Sequence, residues 1–160
     1  MRDEHFPRNR WTMKQGLRVL ILATAGLTGL AQAQAQDEHV ALFKSVSGDV
    51  KVARAGTTLV QVAGTHIMRF DVVTSGPKST GGIVFVDGTL LTLDASSEIE
   101  ITRYVFQPET STYDFSIYLK KGATIYSSGK LGKLSPQSVS VNTPRASVGV
   151  RGTRFLVVAQ

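Results

Sequence analysis

The residues of this chain that could do chemistry are few, and their spacing decides what chemistry remains open. The 160 residues include no cysteine, which excludes thiol nucleophiles, zinc–cysteine sites, iron–sulfur clusters and disulfides. Past residue 35 there are two histidines, His39 and His66, and neither has a His, Asp or Glu at metal-ligand spacing. His66 therefore reads as a turn or edge residue beside Gly64-Thr65, and His39 as part of a loose lead-in. Glu98 and Glu100 sit two apart and share one face of a strand, as an acid pair would. With Asp94 they could surround calcium, but they lack the loop spacing of known calcium sites, and alternation puts them on a solvated face. Serines are abundant without a Gly-x-Ser-x-Gly elbow, and Gly81-Gly82 is not followed by a helix that could cradle phosphate. The expectation is a protein with no catalytic residues, no cofactor and no metal.

The elements that would have to position any site are strands. From Val40 onward the apolar residues alternate with period two and are punctuated by Gly, Pro, Asp and Ser. Tyr113, Phe115, Ile117 and Leu119 face one way and Asp114, Ser116, Tyr118 and Lys120 the other. Ile99 and Ile101 alternate with Glu98, Glu100 and Thr102, and Val139 and Val141 with Ser138, Ser140 and Asn142. Asp87-Gly88 separates two apolar runs and predicts a hairpin with a type I′ turn. Gly122, after Lys120-Lys121, predicts another turn. The run Phe155–Ala159 is short enough to be a last, buried strand rather than a helix. The fold class is all-β: a single β-sandwich, roll or short solenoid-like domain of about ten short strands.

The N-terminus has a different character. Lys14 and Arg18 precede the uncharged run Val19–Ala31, and Ala31-Gln32-Ala33-Gln34-Ala35 follows with small residues at alternate positions. A basic region, a short apolar region and an A-x-A site make a secretory signal peptide over residues 1–35, with cleavage after Ala33 or Ala35. The run is shorter than the roughly 20 residues a transmembrane helix needs. Asp3 and Glu4 are out of place in such a leader, and Met13 would open a tidier one than Met1. Residues 36–45 are expected to be a flexible lead-in, and 46–160 the β domain, placed in the periplasm or outside the cell.

This division changes the meaning of the formal charge of +6. Arg2, Arg8, Arg10, Lys14 and Arg18 against Asp3 and Glu4 place +3 in the leader and leave +3 for the remainder. Nucleic-acid binding is therefore poorly supported. Lys120, Lys121, Lys130, Lys133, Arg145, Arg151 and Arg154 are enriched in the last third, where a patch for polysaccharide or another polyanion is the alternative. The most unusual segment is Val141–Phe155. Pro144 should end a strand, and Gly149 and Gly152 bracket Arg151, which suggests a bulge or close backbone packing.

Motifs through the body resemble the FecR domain family, the periplasmic module of ferric-citrate-type signal regulators. They are Ser47-Gly48-Asp49-Val50, Arg54-Ala55-Gly56, Arg69–Gly76, Val84–Leu93, Ser96–Ile99, Leu119–Gly122, Asn142-Thr143-Pro144 and Val148–Phe155. Together they cover nearly all of residues 46–158. The resemblance implies that Gly48, Asp71, Asp87, Gly88, Thr143, Pro144, Gly149, Arg151, Gly152 and Thr153 are structural motif positions rather than catalytic ones. Regulators of this kind carry a cytoplasmic sigma-factor-binding segment, a membrane span, this module and a small receptor-facing domain. Here too few residues precede the apolar run for the first of these, and Gln160 follows the module directly. The expected role is a stand-alone exported binding or scaffold module with an envelope protein as partner, a sensing or signal-transduction component of the cell envelope.

Overall fold

The computed structural model describes residues 39–150 and 153–160. Among these, twelve strands follow in order: β1 (Ala41–Ser47), β2 (Val50–Arg54), β3 (Thr57–Val60), β4 (His66–Ile67), β5 (Val72–Ser75), β6 (Thr80–Phe85), β7 (Leu90–Leu93), β8 (Glu98–Gln107), β9 (Thr112–Ser127), β10 (Val139–Asn142), β11 (Ser147–Gly149) and β12 (Arg154–Ala159). One short helix, α1 (Lys130–Leu134), lies between β9 and β10. The chain is all-β, as the alternation implies.

The strands form one sheet doubled over into two layers. The first layer runs β4-β1-β6-β7-β9-β12 and the second β3-β2-β5-β8-β9-β10-β11. Strand β9 belongs to both. Its first part pairs with β8 and β10, and its second part with β7 and β12. All pairs are antiparallel except β9 with β10. Between the layers, Phe43, Ile83, Leu91, Leu93 and Tyr126 of the first meet Val50, Val73, Ile99, Ile101, Phe115, Ile117 and Leu119 of the second, all fully buried. An aromatic chain crosses the core: Phe85 meets Phe115 edge-on at 4.9 Å, Phe115 meets Tyr126 at 5.6 Å, and Tyr126 stacks on Phe155 at 4.9 Å.

What folds the sheet is a corner crossed four times, between β1 and β2, β5 and β6, β7 and β8, and within β9. Three serines line it, and all are buried: Ser75, Ser79 and Ser97. The Ser79 hydroxyl accepts from the Asp49 N–H at 2.8 Å. The Ser75 hydroxyl donates to the Asp94 carbonyl at 2.5 Å and accepts from the Ser97 N–H at 3.0 Å. The Ser97 hydroxyl donates to the Ala123 carbonyl at 3.0 Å and accepts from the Ala123 N–H at 2.9 Å. Each hydroxyl thus satisfies backbone groups that the bend removes from the strand ladder. Gly48 (φ +77°) and Gly122 (φ +84°) lie against Ser79 and Ser97 so closely that a Cβ on either would overlap the serine.

Several local expectations are corrected. Gly122 is not a turn: β9 runs straight through it from one layer to the other. The inward positions switch there from odd (Phe115, Ile117, Leu119) to even (Thr124, Tyr126), because a bulge opposite Glu98-Ile99 inserts one residue. The Asp87-Gly88 turn is not type I′. Only Gly88 has positive φ (+83°), and the Gly88 N–H closes on the Phe85 carbonyl around Val86 and Asp87. The lead-in is shorter than 36–45, since Val40, Ala41 and Phe43 are core residues and β1 pairs with both β4 and β6. Lys130 and Lys133 of the basic set lie on α1, whose Leu131 plugs the core. The last strand is half-buried: Val157 and Ala159 face inward, while Leu156 and Val158 face out. The leader and its cleavage site, with Arg151 and Gly152, lie outside the described residues.

The corner yields a direct stability comparison. Gly56 also has positive φ (+81°), but a Cβ there meets open space. Gly56→Ala should cost about 1 kcal/mol from backbone conformation alone. Gly122→Ala adds an overlap with Ser97 backbone and should cost about 3 kcal/mol or more. Urea unfolding of both variants checks this; equal costs would mean that the corner packing contributes nothing.

Candidate functional site

Two buried carboxylates organise the rest of the polar interior. Asp87 is buried in the β6–β7 hairpin. Its Oδ1 accepts from the Tyr104 hydroxyl at 3.1 Å and the Thr89 N–H at 3.3 Å. Its Oδ2 accepts from the Thr89 hydroxyl at 2.6 Å and the Leu131 N–H at 3.1 Å. The Asp87 N–H donates back to Tyr104 at 3.0 Å, and the Lys130 N–H reaches the Asp87 carbonyl at 2.9 Å. Gly129 permits this docking, because a Cβ there would overlap the Gly88-Thr89 backbone. Asp87 therefore ties hairpin, β8 and α1 together from inside the core.

Asp71 has no exposed surface, and the Arg54 guanidinium grips it with two hydrogen bonds, Nε to Oδ1 at 2.8 Å and Nη2 to Oδ2 at 2.6 Å. Oδ2 also accepts from the Met68 N–H at 2.8 Å, and Arg54 donates to the His66 carbonyl at 3.0 Å. The fork geometry suits a carboxylate that has lost its water. Both aspartates are saturated by groups of the protein itself, so each holds the chain and neither is open to a substrate.

The remaining motif residues fall at connections. Gly48 lies at the corner already described. Thr143 and Pro144 make the turn from β10 to β11, where the Thr143 hydroxyl accepts from the Ala146 N–H at 3.0 Å. Gly149 ends β11 opposite Ser140, and a Cβ there would meet nothing, so the close packing expected at that glycine is not found. The Thr153 carbonyl accepts from the Ser128 N–H at 2.8 Å.

The other candidates are dispersed. The His39 and His66 rings stack at 4.1 Å, so His39 is held at β4 rather than loose. Glu98 meets Lys120 at 2.7 Å and Lys121 at 3.8 Å, while the Asp94 carboxylate accepts from the Ala95 N–H at 2.8 Å. The structure therefore does not join Asp94, Glu98 and Glu100 into one site, and two lysines of the basic set already have a carboxylate. Among the described residues no cluster of three His, Asp or Glu could hold a metal. No helix among them is long and apolar enough to cross a membrane.

An open surface lies where both layers end on the far side of β9. Among the described residues β12 pairs only with β9, and β11 only with β10. Between these edges runs an apolar groove of about 420 Å³, bounded by Val148, Val150, Phe155, Leu156 and Val158. Leu156 and Val158 are 61% and 55% exposed. An unpaired edge presents a row of outward N–H and C=O groups, and β12 carries none of the lysines or prolines that blunt such an edge. Arg154 is its single charge.

Comparison with known families joins the motifs to this architecture. The model of the family described as FecR protein matches residues 71–160, more than half of the chain. The chain belongs to the FecR family. The match opens at Asp71, the buried partner of Arg54, and takes in the Asp87 hairpin, α1 and the β11–β12 edge. The motifs at Gly48 and Arg54 precede it, yet their strands share the same doubled sheet. FecR proteins are signalling regulators of a periplasmic type, and they act through proteins. No curated protein and no solved structure matches the chain.

Sequence reasoning placed Asp71, Asp87 and Gly88 among the motif positions; Arg54, Ser75, Thr89 and Ser97 fell within the motif stretches without being read as partners, and Tyr104 and Ser79 were missed. The clustering of serine and glycine in Ser75-Gly76-Pro77-Lys78-Ser79 and Ser96-Ser97 was the available signal.

The Asp87 network predicts alkaline sensitivity. Burial, and then the nearby Asp87 charge, push the Tyr104 hydroxyl far above its ordinary value near 10; burial also raises Tyr126. Above pH 10 the unfolded chain gives up tyrosine protons that the native state retains. The unfolded state then binds fewer protons, so stability falls as pH rises. Tyr104→Phe removes one such group and should flatten the fall above pH 10.5 by about 1 kcal/mol per pH unit. Urea unfolding between pH 9 and 11.5 measures this, and an unchanged slope would contradict the buried hydroxyl.

Proposed function

We propose that this FecR-family chain is an exported, non-enzymatic binding module that receives an extended segment of an envelope protein along β12. The observation that carries the reading is the β11–β12 edge, with which no other described strand pairs. A strand laid beside β12 would complete its backbone hydrogen bonds, while alternate side chains would enter the apolar groove behind it. The opposite edge, β3, is also exposed and uncharged and serves as the control. Residues 1–35 serve in this proposal as a cleaved signal peptide and the β domain as the binding part. Signalling would then consist of occupancy of this edge.

The two saturated aspartates and the separated histidine and carboxylates support a binding role over a hydrolytic one. A nucleophile would need a base within hydrogen-bond reach.

Photo-crosslinking residues placed at Leu156, Val158 and, as a control edge, Leu59 test the proposal in intact cells. Positions 156 and 158 should give one adduct of defined mass that position 59 does not. Val158→Lys should abolish the adduct at 156 without changing thermal stability, since the side chain is half exposed. Equal adducts at positions 59 and 156, or none at either edge position of β12, would refute it.

A further inference from the structure

A second concave surface shares no residue with the β11–β12 groove. It is a cleft of about 200 Å³ between the start of β1, the tip of the β6–β7 hairpin and the end of β8. His39, Val40, Arg69, Val86, Phe106 and Gln107 line it. Among the described residues, no acidic one lines it. Asp71, two residues from Arg69, is enclosed by Arg54, and Asp87, next to Val86, is turned into the core with four donors on its carboxylate. Among the described residues Arg69 therefore has no ion-pair partner, and the described lining carries a positive charge with no acidic counterpart. His39 adds ring nitrogens and is held in place by its stack on His66, and Gln107 adds an amide donor.

The lining includes an exposed apolar side chain. Val86 is 61% exposed at the hairpin tip. Phe70, the neighbour of Arg69, is 66% exposed and has φ +68°, a left-handed conformation unfavourable to a bulky residue. That backbone is fixed, because the Phe70 N–H donates to the Ile101 carbonyl at 2.8 Å and Asp71 beside it is locked by Arg54. Strain that persists while holding an aromatic ring in water is a mark of a contact surface.

We infer that this cleft receives a carboxylate side chain carried beside an apolar residue on a partner polypeptide. Arg69 would take the carboxylate through its guanidinium fork, with Gln107 and His39 as further donors. Val86 would cover the apolar neighbour. The cleft is smaller than the roughly 300–1,000 Å³ of a small-molecule pocket, which favours one side chain of a larger partner over a free metabolite. Charge complementarity sets the sign of the occupant, and the exposed Val86 sets its neighbour.

Titration of the ¹⁵N-labelled full chain with acetyl-Leu-Asp-Leu-amide, followed by NMR, tests the inference. The amides of Val86 and Gln107 and the Arg69 side-chain N–H should shift together. Arg69→Gln should weaken binding about tenfold, the loss expected for a charge-assisted hydrogen bond, while Arg145→Gln in the β10–β11 turn should leave it unchanged. Acetyl-Leu-Asn-Leu-amide should bind about tenfold more weakly to the unaltered chain. Equal affinity for the Asp and Asn peptides, an unaffected Arg69→Gln variant, or no shift at millimolar peptide would overturn it. So would shifts confined to Leu156 and Val158, which belong to strand docking at β12. Arg69 is exposed, and an otherwise unchanged spectrum of its variant separates lost binding from lost folding.

Discussion

The doubled sheet depends on a seam where hydroxyls replace strand hydrogen bonds and glycines make room for them. Bending a sheet strips backbone groups of their ladder partners, and in a dry corner each orphan costs about 1–3 kcal/mol. Ser75 and Ser97 answer this by donating and accepting across neighbouring crossings of the bend, and Ser79 by accepting from Asp49. They can do so only because Gly48 and Gly122 let the chain pass directly over Ser79 and Ser97. Both layers of the core, and hence both open surfaces at their ends, take their relative position from this seam. A serine lost there would loosen two crossings at once, since each hydroxyl bridges segments distant in sequence.

How much of this could be read in the sequence depends on the range of the interaction involved. Alternation in Glu98–Thr102 and Tyr113–Leu119 correctly gave strands with Ile99, Ile101, Phe115, Ile117 and Leu119 inside, because inward-facing side chains are a local, period-two signal. Gly122 misled because a glycine after two lysines has the composition of a turn, whereas the residue that decides its role, Ser97, lies far back along the chain. Asp87 was legible as a hairpin residue but not as a buried anchor, since Tyr104 and Leu131 come from other elements. His39 was read as loose for the same reason: its stacking partner is on β4. Long-range polar pairing leaves no periodic trace in a single sequence.

The two aspartates show how such pairing shapes the fold without making an active site. A buried carboxylate is costly unless donors surround it, and breaking one such set costs more than the set contributes when intact. Asp71 takes its donors from Arg54 on β2 and from the Met68 N–H. Asp87 takes them from its own hairpin, β8 and α1. Each can be satisfied in only one arrangement of those elements. Apolar packing alone would tolerate small slips of α1 over the hairpin; four directional bonds to one carboxylate do not. The same saturation that gives this specificity removes both groups from solvent.

The open surfaces of the molecule are therefore those the interior does not use, and they differ in kind. The β12 edge offers backbone groups and apolar surface, which recognise any extended chain of suitable side-chain spacing and set little sequence preference. The cleft at Arg69 offers a charge and a donor set in a small volume, which discriminates between side chains but contributes little area. In the proposed reading the edge would bind and the cleft would distinguish. Basic residues elsewhere do not alter this division, since Lys120 and Lys121 are turned onto Glu98 and half of the formal charge falls in residues 1–35. If one partner spans both surfaces, the seam couples them mechanically: a strand added at β12 extends the layer that contains β7 and β9, and β7 leads directly into the Val86 hairpin that borders the cleft.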